Sequence, residues 1–191
     1  MTLDREPPVK PLAWFGSVLA AAYLGALVAV SLGSEELVLP AGIEKRFCGA
    51  YLDCHLGVAV LDARELEPAP GEARHRMLAV RVRISNDARR ARLALEDPAA
   101  FLLDRDGRRW RRSAAAERAL GLAPDRELAA PLDPGEERVV TLAFELPAGV
   151  RHPRLHVRQG SSLERVTELL LIGDEDSLLH APVTHAVPID G

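Results

Sequence analysis

Two cysteines and a histidine within one short segment are the side chains of this sequence best suited to chemistry. Cys48 and Cys54 are its only cysteines, and His55 follows directly. In an oxidising compartment the pair predicts a disulfide that closes a short loop and braces the chain. Two thiolates beside an imidazole would instead suit a soft metal, for which copper as Cu(I) is the natural candidate. A redox-active dithiol is a third interpretation, although it usually has Cys-x-x-Cys spacing.

A run of arginines around a tryptophan is the second candidate site. It comprises Arg108, Arg109, Trp110, Arg111 and Arg112. Guanidinium groups and an indole could contact an acidic protein face or anionic lipid headgroups. The same pattern is typical of an edge strand whose charges prevent aggregation while Trp110 turns inward. The acidic residues 174–176 of the same domain could then be its partner.

Catalytic patterns are absent from the sequence. It has no Gly-x-Ser-x-Gly, no His-Glu-x-x-His and no phosphate-binding loop. The net charge of -4 gives no electrostatic reason to expect nucleic acid binding. Most of the six histidines are interpreted as solvated or hydrogen-bonded side chains, among them His152, His156, His180 and His185. The sequence therefore predicts no enzyme, no cofactor unless copper binds, and no small-molecule substrate.

An uncharged stretch between Lys10 and Glu35 predicts a membrane anchor. A helix over Leu12–Gly33 would cross the roughly 30 Å hydrocarbon core of a bilayer. A cleaved signal peptide is the alternative, but its apolar core is usually shorter and the small residues here form a poor cleavage site. Arg5 and Lys10 favour a cytoplasmic N-terminus, with the rest of the chain outside. Nearly all basic residues are arginine, which indicates a GC-rich bacterial genome. For a bacterial protein with such an anchor, the predicted location is the inner membrane.

Alternation of period 2 after the anchor predicts strands separated by turns. The predicted strands are Leu56–Leu66, Met77–Ser85, Arg138–Leu146, Leu155–Arg158 and Leu163–Ile172. A short helix or turn over Ser113–Leu120 is expected in the connection that leads to Leu128–Leu132, because a serine precedes it and Gly121 follows it. A final edge strand around Ser177–Val183, or a loosely held tail, is expected at the end. Such short strands with regular turns favour a sandwich.

The predicted organisation has five parts. They are a cytoplasmic tail (residues 1–11), the transmembrane anchor (12–33), a juxtamembrane linker with the cysteine loop (34–55), the β-sandwich domain (56–173) and an edge strand or tail (174–191).

Several fold-forming residues between Leu78 and Val157 resemble an uncharacterised family of bacterial extracytoplasmic immunoglobulin-like domains, found on lipoproteins and membrane-anchored proteins. The matching residues are Asn86, Phe101, Leu102, Asp104, Asp106, Gly107, Pro134, Gly135, Glu136, Phe144 and Pro147. The resemblance implies an antiparallel immunoglobulin-like β-sandwich with a binding or accessory role and no shared active site. The cysteine loop and the helical anchor depart from the usual members of that family.

Two turns carry much of this resemblance. Asp104 to Gly107 supplies a side-chain-capped hairpin turn, and Asp133 to Glu136 supplies another. Asp-x-Asp-Gly also begins helical calcium loops, but Ala115 and Ala116 stand where such a loop needs an acidic ligand.

Together these patterns predict a non-catalytic, membrane-anchored accessory protein whose extracytoplasmic sandwich contacts another envelope protein. The alternative prediction is an assembly accessory of a membrane metalloenzyme that handles copper or thiols through Cys48, Cys54 and His55.

Overall fold

The computed structural model describes residues 9–47, 54–66, 75–160 and 181–190. Within them it has three helices, α1 (Val9–Gly33), α2 (Ala114–Ala119) and α3 (Pro124–Ala129). The described strands are β1 (Leu37–Leu39), β2 (Lys45–Phe47), β3 (Leu56–Leu66), β4 (His75–Asn86), β5 (Ala99–Leu103), β6 (Arg109–Arg111), β7 (Glu137–Pro147), β8 (Arg154–Arg158), β9 (Val183–Ala186) and β10 (Ile189–Asp190).

Helix α1 is apolar around its whole circumference, as the uncharged stretch predicts. A segment of 20 residues, Trp14–Gly33, has a mean hydropathy of 2.0 and is only 6% buried. Large side chains such as Leu24 and Leu32 are exposed, at 58% and 84%. A helix with this surface is stable in lipid rather than in water. It has the length of a membrane span, a property that an anchor and a signal sequence share.

The strands form two sheets that pack face to face as a β-sandwich. The first sheet has the order β1-β9-β8-β5-β6, and the second has β10-β3-β4-β7 with β2 paired to β3. β2 and β10 share one edge of β3, since β2 pairs with Leu56 to Val58 and β10 with Ala63 and Arg64. The predicted sandwich is confirmed, but it is not wholly antiparallel, because β1 pairs with β9 and β10 with β3 in parallel.

Alternating side chains from the two sheets fill the core. Residues 78, 80, 82 and 84 of β4 are at most 2% exposed, and Val140, Leu142 and Phe144 of β7 are fully buried. Leu102, Leu155 and Val157 close the core from the first sheet. Burial of these side chains is the main favourable term in folding. The predicted strands of β3, β4, β7 and β8 are thus confirmed, with the ends of three of them extended by one or two residues.

The two ends of the part that follows α1 differ from the predicted organisation. Residues 34–55 were expected to form a linker, yet β1 and β2 within them belong to the two sheets. Of the edge strand or tail expected around Ser177–Val183, residues 177–180 lie outside the described residues. A strand, β9, begins at Val183 and lies between β1 and β8 rather than at an edge. The predicted strand Leu163–Ile172 lies outside the described residues. Short strands of three or four residues carry too little alternation to be recognised in sequence.

The connection between the sheets is helical at two places. Helix α2 starts where the sequence predicts, with the Ser113 hydroxyl accepting the Ala116 amide at 3.3 Å, and Gly121 follows it at φ 68°. The connection that leads to Leu132 also contains α3, which was not predicted and has Pro124 in its first turn. Leu132 itself forms a single bridge with Leu93.

Asn86, at the end of β4, holds the connections at that end of the second sheet. Its side-chain amide donates to the carbonyl oxygens of Ala91 and Leu132, both at 2.9 Å, and its carbonyl accepts the Ala88 amide at 3.0 Å. The side chain is fully buried. An asparagine suits this position because its side-chain amide can both donate and accept hydrogen bonds.

We expect Asn86→Ala to destabilise the domain by about 2 to 4 kcal/mol, because the buried Ala88 amide loses its acceptor and the carbonyls of Ala91 and Leu132 each lose a donor. The measurement is the free energy of unfolding from urea titration of the full chain in detergent. Arg90→Ala, an exposed site on the following loop, is the control and should change stability by less than about 0.5 kcal/mol. An equal loss in both variants would contradict the role given to Asn86.

Candidate functional site

The cysteine loop lies only in part within the described residues. Cys48 falls outside them, whereas Cys54 is exposed and is not a free cysteine. His55 is exposed, and its carbonyl oxygen accepts the Asp87 amide at 2.9 Å. In the part of the chain that the structure describes, no group of three metal-ligating side chains converges. The disulfide and the copper site of Cys48, Cys54 and His55 both stay predictions.

The arginine run divides between two environments, because β6 alternates like any strand. Trp110 pairs with Leu102 and packs against the core, whereas Arg109 and Arg111 pair with Leu103 and Phe101 and lie on the outer face. Arg108 is exposed at the hairpin turn. The five residues therefore do not form one surface.

Arg112 is an internal ion-pairing residue. One of its terminal nitrogens contacts the Asp125 carboxylate, and the other lies 3.6 Å from Glu117. Burial raises the pKa of Glu117, while the charge of Arg112 acts in the opposite direction. The side chains of Arg112 and Glu117 are only 17% and 9% exposed. Arg112 thus holds α2 and α3 together, and the acidic residues 174–176 expected as a partner of the run lie outside the described residues.

An aromatic stack lies on the outer face of the first sheet beside Arg109 and Arg111. The rings of Phe101 and His156 are stacked, with their centroids 4.8 Å apart. The guanidinium carbons of Arg109 and Arg158 lie 4.9 Å and 5.8 Å from the Phe101 ring centre. Such cation–π contacts orient a guanidinium group without neutralising it. Burial, followed by the charge of Lys45, lowers the pKa of His156 to about 3, so this imidazole is neutral near pH 7.

Two buried polar residues that the sequence analysis missed hold the two sheets together. Lys45 of β2 is 3% exposed and donates from Nζ to the Val157 carbonyl of the other sheet at 3.0 Å. His185 of β9 is fully buried, with Nε2 3.0 Å from the Val58 carbonyl, and burial lowers its pKa. His185 was interpreted as a tail residue. It is instead a bridge between the sheets, and only the alternation of Val183 and His185 could have indicated this.

Charge compensation distinguishes the two outer faces of the sandwich. On the second sheet, Arg81 pairs with Asp62, and Arg83 pairs with Glu44 and more weakly with Glu137. On the first sheet, four exposed arginines on or beside the β5–β6 hairpin form no ion pair with any described residue. We call Arg105, Arg108, Arg109 and Arg111 the outer basic patch.

Turn chemistry fixes the position of this patch. The Asp104 carboxylate accepts the amides of Asp106 and Arg108, both at 2.9 Å, and Gly107 has φ 76°. An open depression of about 280 Å³ lies next to the turn and is lined by Arg105, Val38 and Arg154 among others. Arg154 is already engaged by Glu36 and the Asp104 carbonyl. The Asp-x-Asp-Gly sequence is thus a capped hairpin turn, as predicted.

Comparisons with known proteins find only distant similarity. No family model and no curated protein matches the chain, so the resemblance to the immunoglobulin-like family remains a prediction. The secreted protein MPT63 of Mycobacterium tuberculosis is 16% identical with a TM-score of 0.45, and the match covers 66% of this chain and 92% of that one. A conserved hypothetical protein of Bacillus anthracis is 15% identical with a TM-score of 0.39, covering 62% and 93%. An uncharacterised β-sandwich protein of Clostridium difficile is 9% identical with a TM-score of 0.36, covering 80% and 95%. These similarities are too distant to carry an argument.

We expect acid to destabilise the sandwich through His156. Its folded pKa lies below the unfolded value, so between about pH 6.5 and pH 3 only the unfolded chain takes up this proton. His156→Phe keeps a ring on Phe101 and removes the proton, and should reduce the loss of stability between pH 7.5 and pH 5 by about 2 kcal/mol. Urea unfolding at pH 7.5 and pH 5 measures this difference in unfolding free energy.

The matched control for this pH experiment is His75→Phe, which replaces a histidine whose side chain is half exposed. This variant should lose about as much unfolding free energy between pH 7.5 and pH 5 as the unaltered protein does. If His156→Phe loses as much stability on acidification as the unaltered protein does, the environment assigned to His156 is wrong.

Proposed function

We propose that this is a bacterial membrane-anchored accessory protein whose extracytoplasmic β-sandwich binds another envelope protein and carries out no reaction of its own. The observation that carries the proposal is the exposed apolar surface of α1, joined without a linker to a folded sandwich. A protein built in this way is held at the membrane with its sheets presented on one side. Arg5 and Lys10 favour the extracytoplasmic side for the sandwich.

The junction between α1 and the first sheet supports a permanent tether. The Ser34 hydroxyl accepts the Ala181 amide at 2.8 Å, directly after the helix ends at Gly33. Two residues later, Glu36 contacts the Arg154 guanidinium and accepts from the Thr184 hydroxyl at 3.3 Å. If α1 is retained, these contacts connect the end of the helix directly to the first sheet.

The polar groups inside the described part of the sandwich support binding rather than catalysis. Lys45 and His185 bond to backbone carbonyls of the facing sheet, and Asn86 bonds to its own loops. These groups are committed to structural hydrogen bonds. A disulfide between Cys48 and Cys54 belongs to the proposal as a structural brace, supported by the absence of a free thiol at Cys54.

A charge in the middle of α1 tests the anchor. Leu24→Arg places a guanidinium near the centre of the span, which costs about 2.5 to 3.5 kcal/mol of insertion free energy. We expect a clear shift of the chain out of the carbonate-resistant membrane pellet, measured by immunoblot of the two fractions. Leu32→Arg is the matched control, because an arginine next to the helix end can extend its side chain to the interface. Equal fractionation of both variants would count against a membrane-spanning α1.

Photo-crosslinking in cells tests the binding function. Lys10 and Lys45 are the only lysines, and Lys45 is buried, so amine-reactive reagents are unsuitable. A photoreactive amino acid at position 111 samples the outer face of the first sheet, and one at the 49% exposed Val139 samples that of the second. We expect a discrete adduct with an envelope protein from at least one position. The absence of any adduct at several positions on both faces would contradict the proposal.

A further inference from the structure

We infer that the outer basic patch is the docking site for an acidic, extended segment of the partner protein. This inference rests on the proposed function, because it names the surface and the chemistry by which the anchored sandwich would recognise its partner. The outer basic patch differs from the predicted arginine run, because it includes Arg105 and does not include Trp110 or Arg112.

First, the outer basic patch carries a positive charge that no described residue neutralises. Arg105, Arg108, Arg109 and Arg111 are exposed, and none forms an ion pair with another described residue. The only exposed carboxylate on the turn itself is that of Asp106, since the Asp104 carboxylate is used to cap the turn. Arg81 and Arg83 on the opposite sheet show that this chain can neutralise surface cations with its own carboxylates. Like charges kept close together without partners cost stability, and an acidic ligand would relieve that cost.

The second step is geometry. Arg109 and Arg111 lie two residues apart on one face of a strand, at a separation of roughly 6 to 7 Å. Alternate side chains of an extended polypeptide have the same spacing, so carboxylates at positions i and i+2 of such a segment match the two guanidinium groups. Arginine binds a carboxylate through two parallel hydrogen bonds, and the contact with Phe101 orients the head group of Arg109 for this purpose.

The third step is the position of the patch relative to the anchor. β1 follows α1, and β6 is the strand at the other edge of the same sheet, four strand spacings or roughly 19 Å away. The register also places the turn after Leu103 level with Arg154 and Ala186, the end of the sheet away from Leu37 and Val183. Arg109 and Arg111 of β6 therefore lie at the edge of the sheet away from β1, whereas Arg105 reaches back towards β1 and lines the same depression as Val38. The exposed Glu35 and Glu36 at that junction disfavour laying this sheet on anionic lipid.

The inference is tested on the full chain in nanodiscs of zwitterionic lipid. The probe is a fluorescent acetylated peptide with glutamate at alternate positions, Glu-Thr repeated four times, and the comparison peptide has glutamine in place of glutamate. We expect saturable binding of the glutamate peptide alone. The double variant Arg109→Gln and Arg111→Gln should weaken it about tenfold, because two charge-assisted contacts are lost.

The matched control is the double variant Arg89→Gln and Arg90→Gln, which removes the same charge from exposed arginines on another loop. It should leave binding within about twofold. Arg111→Gln alone serves as a second test if the double variant unfolds, because Arg111 makes no side-chain contact with another described residue, and it should weaken binding about threefold. Circular dichroism confirms the fold of each variant.

Three results would overturn the inference. They are no binding of the glutamate peptide, equal weakening by both double variants, and a preference of the patch for vesicles containing phosphatidylglycerol over the peptide. None of them would overturn the proposed function, which stands if α1 anchors the chain and the sandwich crosslinks to an envelope protein through another surface.

Discussion

The absence of a spacer between helix and sheet is the constraint on which the rest of this structure depends. Only three residues separate Gly33 from Leu37, and the first of them already bonds to Ala181. β1 then pairs in parallel with β9, so residues from opposite ends of the chain meet beside the helix. Because of this pairing, the orientation of the first sheet is fixed by where the helix ends. A surface on β6 can then face away from the junction without any flexible segment to position it.

The buried polar groups lie where short strands and loops must be fastened to the sheets. Short strands have few residues with which to bury apolar area, so specific bonds hold them in place. Lys45 attaches β2 to the facing sheet through the Val157 carbonyl, and His185 attaches β9 through the Val58 carbonyl. Asn86 and Asp104 perform the same task for the loops that follow β4 and β5. Each of these residues satisfies backbone groups that would otherwise be buried without partners.

Sequence patterns could predict the parts of the fold in which apolar and polar residues alternate over a long stretch. The long strands β3, β4 and β7 alternate over ten or so residues, and the capped turns at Asp104 and Asp133 have recognisable chemistry. Short strands could not be predicted, since β1 has three residues and owes its existence to β9. Helix α3 was not predicted, because its six residues are too few to show a helical period. The arginine run of the candidate site was recognised in the sequence, but its separation into inward and outward residues was not. Side chains alternate between the two faces of β6, and Arg112 then leaves that sheet and forms a bridge to Phe144 of the other one.

The central claim is that α1 stays attached to the sandwich and holds it at the membrane. The most direct measurement is the intact mass of the protein extracted from membranes of the cells that produce it. The account predicts a species whose mass includes Trp14–Gly33, with a soluble form present at most in traces. A species that begins at or after residue 31, free in the periplasmic or culture fraction, would contradict it and would mean that the helix is a signal sequence.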